Sequence, residues 1–158
     1  MLESGIPENP MELFQHWFYE IEASGSTDEH NAMTIATKGL DGFPKSRVVL
    51  LKQFTAEGFI FYTNYESEKG KAIAADPRVC LSFFWPYLER QVIIKGRAER
   101  IAVNLSDGYF ESRPDGSKLG AIVSRQSEVV PSREYLEEAL QDLEREYEGK
   151  EIPRPEYW

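Results

Sequence analysis

The chain has a single cysteine, no long apolar run and fewer basic than acidic residues, and each shortage excludes a class of protein. Cys80 stands alone among 158 residues, which excludes an internal disulfide and a metal site built from several cysteines. No apolar stretch approaches the roughly twenty residues that span a bilayer, and residues 1–20 lack the basic and apolar regions of a secretory signal. We therefore expect a cytoplasmic protein with no membrane partner.

Basic residues are outnumbered overall but are concentrated in the middle of the chain. With 18 Lys and Arg against 27 Asp and Glu, the formal charge is −9, which argues against a bulk nucleic-acid binder. Residues 1–37 carry a net −7, residues 38–127 a net +4 and residues 128–158 a net −6. The acidic ends are expected to be solvated helical faces, and the basic centre indicates a site for an anion.

Periodicity and turn signals predict one domain, residues 1–158, with no repeat and no linker. Asn9 and Pro10 are typical of a helix N-terminus, and the apolar spacing that follows predicts a helix over about residues 10–24. Strands are predicted over about residues 32–101, and helices over about 106–149. The predicted strands are 33–37, 46–54, 58–64, 79–85 and 91–101, with a short helix at 66–75. This pattern implies a mainly β protein with flanking helices (α+β), arranged as a barrel or sandwich.

The common catalytic signatures are missing from the chain. His16 and His30 have no spacing that suggests a catalytic triad or a metal site, so we predict neither a metal nor a hydrolytic nucleophile. There is no Gly-x-x-x-x-Gly-Lys-Ser/Thr run and no Gly-x-Gly-x-x-Gly run. The common kinds of nucleotide chemistry are therefore not expected.

Two stretches place cations where an anion would be a reasonable partner. In the predicted strand 46–54, alternation puts Arg47 and Lys52 on opposite faces of an apolar run, so each needs an anion, a carboxylate or access to solvent. Ser67 and Lys69 stand at a predicted helix start, where free N–H groups favour the binding of phosphate. The alternative is a surface helix with ordinary lysines.

A second group of polar residues follows the predicted strands. Tyr109, Arg113 and Ser117 bring a phenol, a guanidinium and a hydroxyl within nine positions, which indicates a second anion site. Gln91 and the pair Gln126-Ser127 are neutral donors and acceptors suited to a flat heterocycle, or are simply polar residues of the surface or core.

Five segments resemble, in order, the motifs of the pyridoxamine 5'-phosphate oxidase family. They are 47–52 (RVVLLK), 61–64 (FYTN), 89–92 (ERQV), 109–114 (YFESRP) and 120–127 (GAIVSRQS). The resemblance implies an FMN-binding split β-barrel that forms a homodimer with FMN at the subunit interface. It also implies oxidation of pyridoxamine or pyridoxine 5'-phosphate to pyridoxal 5'-phosphate, with O2 as acceptor and H2O2 as by-product.

The same resemblance implies a role for each matching residue. Arg47, Val48, Val49 and Leu50 would line FMN, with Arg47 and Lys69 on its phosphate and Tyr62 and Thr63 beside it. Gln91, Gln126 and Ser127 would complete the cofactor site from the partner subunit. Lys52, Tyr109, Arg113 and Ser117 would hold the phosphate of the substrate. No residue is assigned to catalysis itself, because the hydride equivalent passes to the flavin.

The chain departs from the family pattern at three places. Glu68 stands where the family often has Arg, and the chain lacks the usual basic N-terminal segment. Family members also continue past residues 153–158 into further strands with an Arg-Leu-His-Asp-Arg motif. We expect a truncated or partly ordered version of a full enzyme. The alternatives are a non-catalytic or weakly active protein that binds FMN or pyridoxal phosphate, and a purely structural β-barrel module.

Overall fold

In a computed structural model, which describes residues 6–27 and 29–158, a helix precedes six strands and four further helices. The elements are α1 (Pro10–Ala23), β1 (Ala32–Lys38), β2 (Pro44–Leu50), β3 (Gln53–Thr55), β4 (Gly58–Ile60), α2 (Glu68–Ala75), β5 (Arg78–Trp85), β6 (Arg90–Arg97), α3 (Val103–Glu111), α4 (Asp115–Val123) and α5 (Arg133–Glu146). A short 3-10 turn at Pro86–Leu88 separates β5 from β6. None of the helices in the described ranges is long and apolar enough to cross a membrane.

Helix α1 begins and ends where local sequence signals place it. The Asn9 side chain accepts a hydrogen bond from the Met11 N–H at 2.9 Å, and Pro10 occupies the first helical position, where no N–H is needed. After Ser24, Gly25 takes a φ of +72°, a left-handed conformation that ends the helix and that glycine adopts without strain.

The six strands form two antiparallel sheets. The larger sheet has the order β2-β1-β5-β6, and the smaller one pairs β3 with β4. In the larger sheet, Ile35 of β1 lies between Arg47 of β2 and Leu81 of β5. Alternation then sends Met33, Ile35 and Leu81 into the core and leaves apolar side chains such as Val48 and Ile93 exposed on the opposite face of the sheet.

Aromatic rings join α1 to both sheets in the main core. The Phe14 ring lies 5.0 Å from Phe54 of β3, 4.9 Å from Phe59 of β4 and 5.2 Å from Phe83 of β5. These contacts are edge-on or tilted, as aromatic pairs prefer, and both Phe14 and Phe83 are buried. Helix α1 therefore closes the gap between the two sheets.

A second apolar cluster holds the C-terminal half together. Its buried members are Phe110 of α3, Leu119 of α4 and Ile152 of the C-terminal tail, with side chains of α5 packed around them. The tail is fastened by Arg154, whose Nε donates to Asp107 of α3 at 2.6 Å. The candidate site described below lies where this cluster meets the sheets.

The predicted fold class, mainly β with flanking helices, is confirmed, but four predicted boundaries differ from those of the structure. The predicted strand 46–54 is divided, because the Leu51 N–H bonds to Asn31 beside β1 while the Lys52 N–H bonds to Ile60 of β4. The predicted strands 58–64 and 91–101 stop at Ile60 and Arg97, where ladder pairing ends. The C-terminal helices begin at Val103 rather than 106.

Candidate functional site

Arg47 points from β2 toward the core face, where it meets only neutral oxygens. Its Nη1 donates to Thr37 Oγ1 at 2.7 Å and to the carbonyl oxygen of Lys45 at 3.1 Å. The ion pairs of the described residues do not include Arg47. These bonds orient a half-buried guanidinium without neutralising its charge.

Lys69 lies in the first turn of α2 and faces the same region as Arg47. Ser67 caps this helix by accepting from the Gly70 N–H, and Lys69 Nζ donates to Gln126 Oε1 at 2.7 Å. Burial lowers the pKa of the Lys69 ammonium, and repulsion by Arg47 lowers it further. Two cations held close together on neutral partners at a helix N-terminus form a site that suits a dianion such as phosphate.

Gln126 joins this cation pair to the Tyr62-Thr63 segment that follows β4. Its side-chain oxygen accepts from Lys69 and, at 3.4 Å, from Thr63 Oγ1. Both contacts are made within one chain, whereas the family resemblance implies that Gln126 comes from a partner subunit. The loop between α4 and α5 therefore reaches the predicted cofactor site of its own chain.

Three aromatic rings lie parallel on the other side of the same segment. Tyr62 stacks on Tyr109 of α3 with a centroid separation of 3.9 Å and an angle of 11°. The Trp158 ring lies 6.1 Å from Tyr62 and 5.8 Å from Tyr109, nearly parallel to both. Burial raises the pKa of the Tyr62 phenol, with a further increase from Tyr109, so the hydroxyl stays protonated.

A second pair of cations borders these rings. The Arg113 guanidinium lies 4.4 Å from the centroid of the Trp158 ring, and Lys52 Nζ lies 5.8 Å from that of Tyr109. The Nη1 atom of Arg113 is buried without a hydrogen-bond partner, and burial lowers the pKa of the group. An unpaired buried donor costs free energy, so an anion at this position would be stabilised.

Four of the sequence-predicted site residues lie apart from these contacts. Val48 and Gln91 belong to the outward face of the larger sheet, where Gln91 Nε2 donates to Ser82 Oγ at 3.4 Å. Ser117 and Ser127 are exposed, and Ser127 has a φ of +74°, an uncommon conformation for a residue other than glycine. Of the remaining predicted lining residues, Val49 is buried and Leu50 is half-buried on β2.

Two parts of the site could not be predicted from the sequence, because their contacts join distant parts of the chain. Trp158 completes the stack of rings, and the neighbouring Tyr157 accepts from the Tyr65 N–H at 2.6 Å. The Tyr157 hydroxyl donates to the Ile122 carbonyl at 3.1 Å. The second part is Lys45, which forms an ion pair with Glu68 beside Arg47 and Lys69. The sequence does show the neighbouring aromatic residues Tyr157 and Trp158, but it does not indicate which residues they contact.

A cleft of about 480 Å³ opens beside this arrangement. Tyr62, Thr63 and Trp158 line it, and so do Arg97 at the end of β6 and Arg100 in the segment that follows. The volume is in the range that holds a cofactor or a small ligand.

Comparisons with known proteins agree with the motifs. A family model described as pyridoxamine 5'-phosphate oxidase matches residues 20–145. The pyridoxine/pyridoxamine 5'-phosphate oxidase of Flavobacterium johnsoniae is 68% identical over 158 residues, which are 100% of this chain and 74% of that protein. The protein of the same name from Christiangramia forsetii is 52% identical over the same coverage.

Two solved structures share the fold of this chain. PhzG from Burkholderia lata 383, in complex with tetrahydrophenazine-1-carboxylic acid, superposes with a TM-score of 0.89 at 25% identity, over 97% of this chain and 74% of its own. A pyridoxamine 5'-phosphate oxidase-related, FMN-binding protein from Nostoc punctiforme PCC 73102 superposes with a TM-score of 0.61 at 15% identity, over 80% of this chain and 68% of its own. The family model and the identity to curated oxidases decide the assignment: the chain belongs to the pyridoxamine 5'-phosphate oxidase family.

Proposed function

We propose that this chain binds FMN and oxidises pyridoxamine or pyridoxine 5'-phosphate to pyridoxal 5'-phosphate. The observation that carries the proposal is the presence of two separate pairs of cations, Arg47 with Lys69 and Arg113 with Lys52, on either side of the Tyr62-Thr63 segment. The cofactor and the substrate each carry one phosphate, so two anion sites are what the reaction requires. The names of the curated relatives support the same activity.

The first pair fits the phosphate of FMN. Arg47 and Lys69 are held by neutral oxygens, so a phosphate dianion would meet two charges that no carboxylate has neutralised. Gln126 and Thr63 extend the site with hydrogen-bonding groups, and Val49 and Leu50 continue along β2 from Arg47. These residues fit the cofactor by charge and by hydrogen bonding.

The second pair fits the phosphate of the substrate. Arg113 offers its unpartnered Nη1, Lys52 lies over the Tyr109 ring, and Ser117 is in the next helix. The parallel rings of Tyr62 and Tyr109 present a flat apolar surface next to these donors, which suits a pyridine ring. Arg113 and Lys52 would fix the orientation of the substrate through its phosphate.

The side chains of this protein bind and orient the cofactor and the substrate. None of them has to exchange electrons in the reaction. FMN, when bound, would supply the redox chemistry: a two-electron oxidation of the substrate at C4', with O2 and two protons giving H2O2, and, for pyridoxamine 5'-phosphate, with water supplying the aldehyde oxygen and ammonia leaving. The fixed positive charges of Arg47 and Lys69 hold the cofactor, and those of Arg113 and Lys52 hold the substrate beside it.

We also propose a homodimer that buries the uncovered face of the larger sheet. The register places Val48, Thr34, Ser82 and Ile93 in one row across the four strands, and Val48 is 66% and Ile93 59% exposed. Exposed apolar side chains in such a row are typical of an interface. Gln91 lies on this face, which supports its proposed contribution to the cofactor site of a partner subunit.

The purified protein, titrated with FMN, tests the proposal. We expect a stoichiometric yellow complex, and H2O2 release that depends on pyridoxine 5'-phosphate and is lost when FMN is removed. A yellow complex without turnover would support the alternative of a non-catalytic FMN-binding protein. A colourless protein that cannot be reconstituted with FMN would contradict both functions.

A further inference from the structure

Glu68 places a carboxylate next to one of the two cations of the proposed FMN phosphate site. It precedes Lys69 in the first turn of α2, and its charge acts on Lys69, since it raises the pKa of that ammonium against the larger effect of burial. An acidic residue in the first helical turn is favourable for the helix itself. For a bound phosphate, however, an uncompensated carboxylate at this position would be repulsive.

Lys45 of β2 neutralises this carboxylate. Its Nζ forms an ion pair with Glu68 and a second one with Asp41 at 3.2 Å. These hydrogen bonds, the one to Glu68 first, raise the pKa of Lys45, so the ammonium stays charged. Lys45 thereby ties the first turn of α2 to β2, 23 residues earlier in the chain.

The backbone of Lys45 takes part in the same site. Lys45 and Arg47 lie two positions apart on one strand and therefore point to the same face. The Lys45 carbonyl accepts from Arg47 Nη1 at 3.1 Å, beside the bond from Arg47 to Thr37. One residue thus helps to orient Arg47 through its carbonyl and compensates Glu68 through its ammonium.

We propose that Lys45 is a positioning residue of the FMN phosphate site, which holds the Glu68 carboxylate in an ion pair and so keeps it from opposing the bound phosphate. The inference rests on the proposed function, because it takes Arg47 and Lys69 as the phosphate ligands. Lys71, the other lysine near Glu68 on α2, is exposed and belongs to no ion pair in the described part of the chain, so it does not serve this purpose.

A double-mutant cycle on FMN affinity, measured by quenching of flavin fluorescence, tests the inference. Lys45→Met should weaken FMN binding by about threefold to tenfold, a moderate effect because both partners are partly exposed. In the Glu68→Gln background the same substitution should change the dissociation constant less than twofold, since no carboxylate is left to compensate. Glu68→Gln alone should bind FMN as tightly as the wild type or more tightly.

Lys71→Met is the matched control, because it removes one lysine charge from α2 and leaves the Lys45–Glu68 pair in place. Its effect on FMN affinity should be less than twofold. The inference alone would be overturned if Lys45→Met weakened FMN binding equally with and without Glu68, or if Lys71→Met weakened it as much as Lys45→Met does. In either case the loss of affinity would follow from the net charge. A wild-type chain that does not bind FMN would overturn the proposed function and this inference with it.

Discussion

Single residues decide the charge of the candidate site through their burial and their neighbours. Lys69 is the clearest case, because burial and Arg47 both disfavour its charged form, while a phosphate would favour it. Arg113 keeps a buried donor without a partner, although its sequence neighbours give no sign of this. Sequence motifs singled out both residues, but only the packing around them shows that neither charge is neutralised.

The lowered pKa of Lys69 predicts a pH dependence of cofactor binding. A bound phosphate stabilises the charged ammonium, so binding takes up a proton once the pH exceeds the pKa of Lys69 in the free protein. FMN affinity should therefore be constant at lower pH and fall as the pH rises through that pKa, which lies below the usual 10.5. Titrations of FMN fluorescence from neutral pH up to pH 10.5, the usual pKa of lysine, would measure the decrease.

Lys69→Arg provides the control, because a guanidinium remains charged over the whole of this range. The variant should show a flatter dependence of the FMN dissociation constant on pH than the wild type. Identical curves for the two proteins would mean that another group is responsible.

Arg113 gives a prediction about the substrate rather than the cofactor. Arg113→Met should raise the KM for pyridoxine 5'-phosphate by about tenfold to a hundredfold, because hydrogen bonds to charged groups contribute about 1.5–3 kcal/mol. The FMN dissociation constant should change less than twofold. Steady-state kinetics on the FMN-saturated protein would measure the first effect, and fluorescence titration the second.

Arg133→Met is a suitable comparison, since Arg133 pairs with Glu137 on the exposed surface of α5. It should leave KM unchanged. An unaltered KM in Arg113→Met as well would refute the assignment of Arg113 to the substrate phosphate.

At the scale of elements, the capped starts of helices were easier to predict than the ends of strands. Asn9, Ser67 and Ser132 cap α1, α2 and α5 through side-chain bonds to N–H groups two or three residues away, so the signal is local. Strand β4 ends at Ile60 although apolar and aromatic residues continue beyond it, because pairing with β3 stops there. A strand needs a partner, and the sequence of one strand does not say how far its partner extends.

The start of α2 depends on a glycine at a close approach. A Cβ on Gly70 would lie 2.2 Å from the carbonyl oxygen of Tyr65, so Gly70→Ala would force the helix away from the 64–65 turn. We expect a loss of about 1–3 kcal/mol in the free energy of unfolding, together with weaker FMN binding. Urea denaturation would measure the stability.

Gly120→Ala in α4 is the matched control, because a Cβ there meets nothing within 4 Å. Alanine is the better helix former, so this variant should gain up to about 1 kcal/mol. If the two substitutions had the same effect on stability, the close approach at Gly70 would not be the cause.

At the scale of the whole molecule, the uncovered sheet face predicts self-association. Ile93→Glu introduces a charge on the outward face of the sheet at a side chain that is 59% exposed, so the fold of each chain should persist. Sedimentation velocity should show a wild-type dimer and a shift toward monomer in this variant. Its FMN affinity should also fall, since Gln91 lies on the same face.

Val129→Glu tests whether any charged substitution of an exposed apolar residue has this effect. Val129 is 99% exposed and lies outside the sheet, so this variant should remain dimeric. A monomeric wild-type protein, or equal dissociation in both variants, would contradict an interface on the sheet face.

The sequence by itself determined the capped starts of α1 and α2, the turns, the alternation that puts Arg47 on one face of its strand, and the motifs that identify the family. These features depend on residues a few positions apart, or on motifs that can be read directly from the chain. Only the tertiary structure decided that Lys69 meets Gln126 57 residues later, that Trp158 joins Tyr62 and Tyr109, and that Lys45 neutralises Glu68. Such contacts arise where separate elements pack together, because burial then removes solvent and leaves each charge dependent on whichever side chain the fold brings beside it.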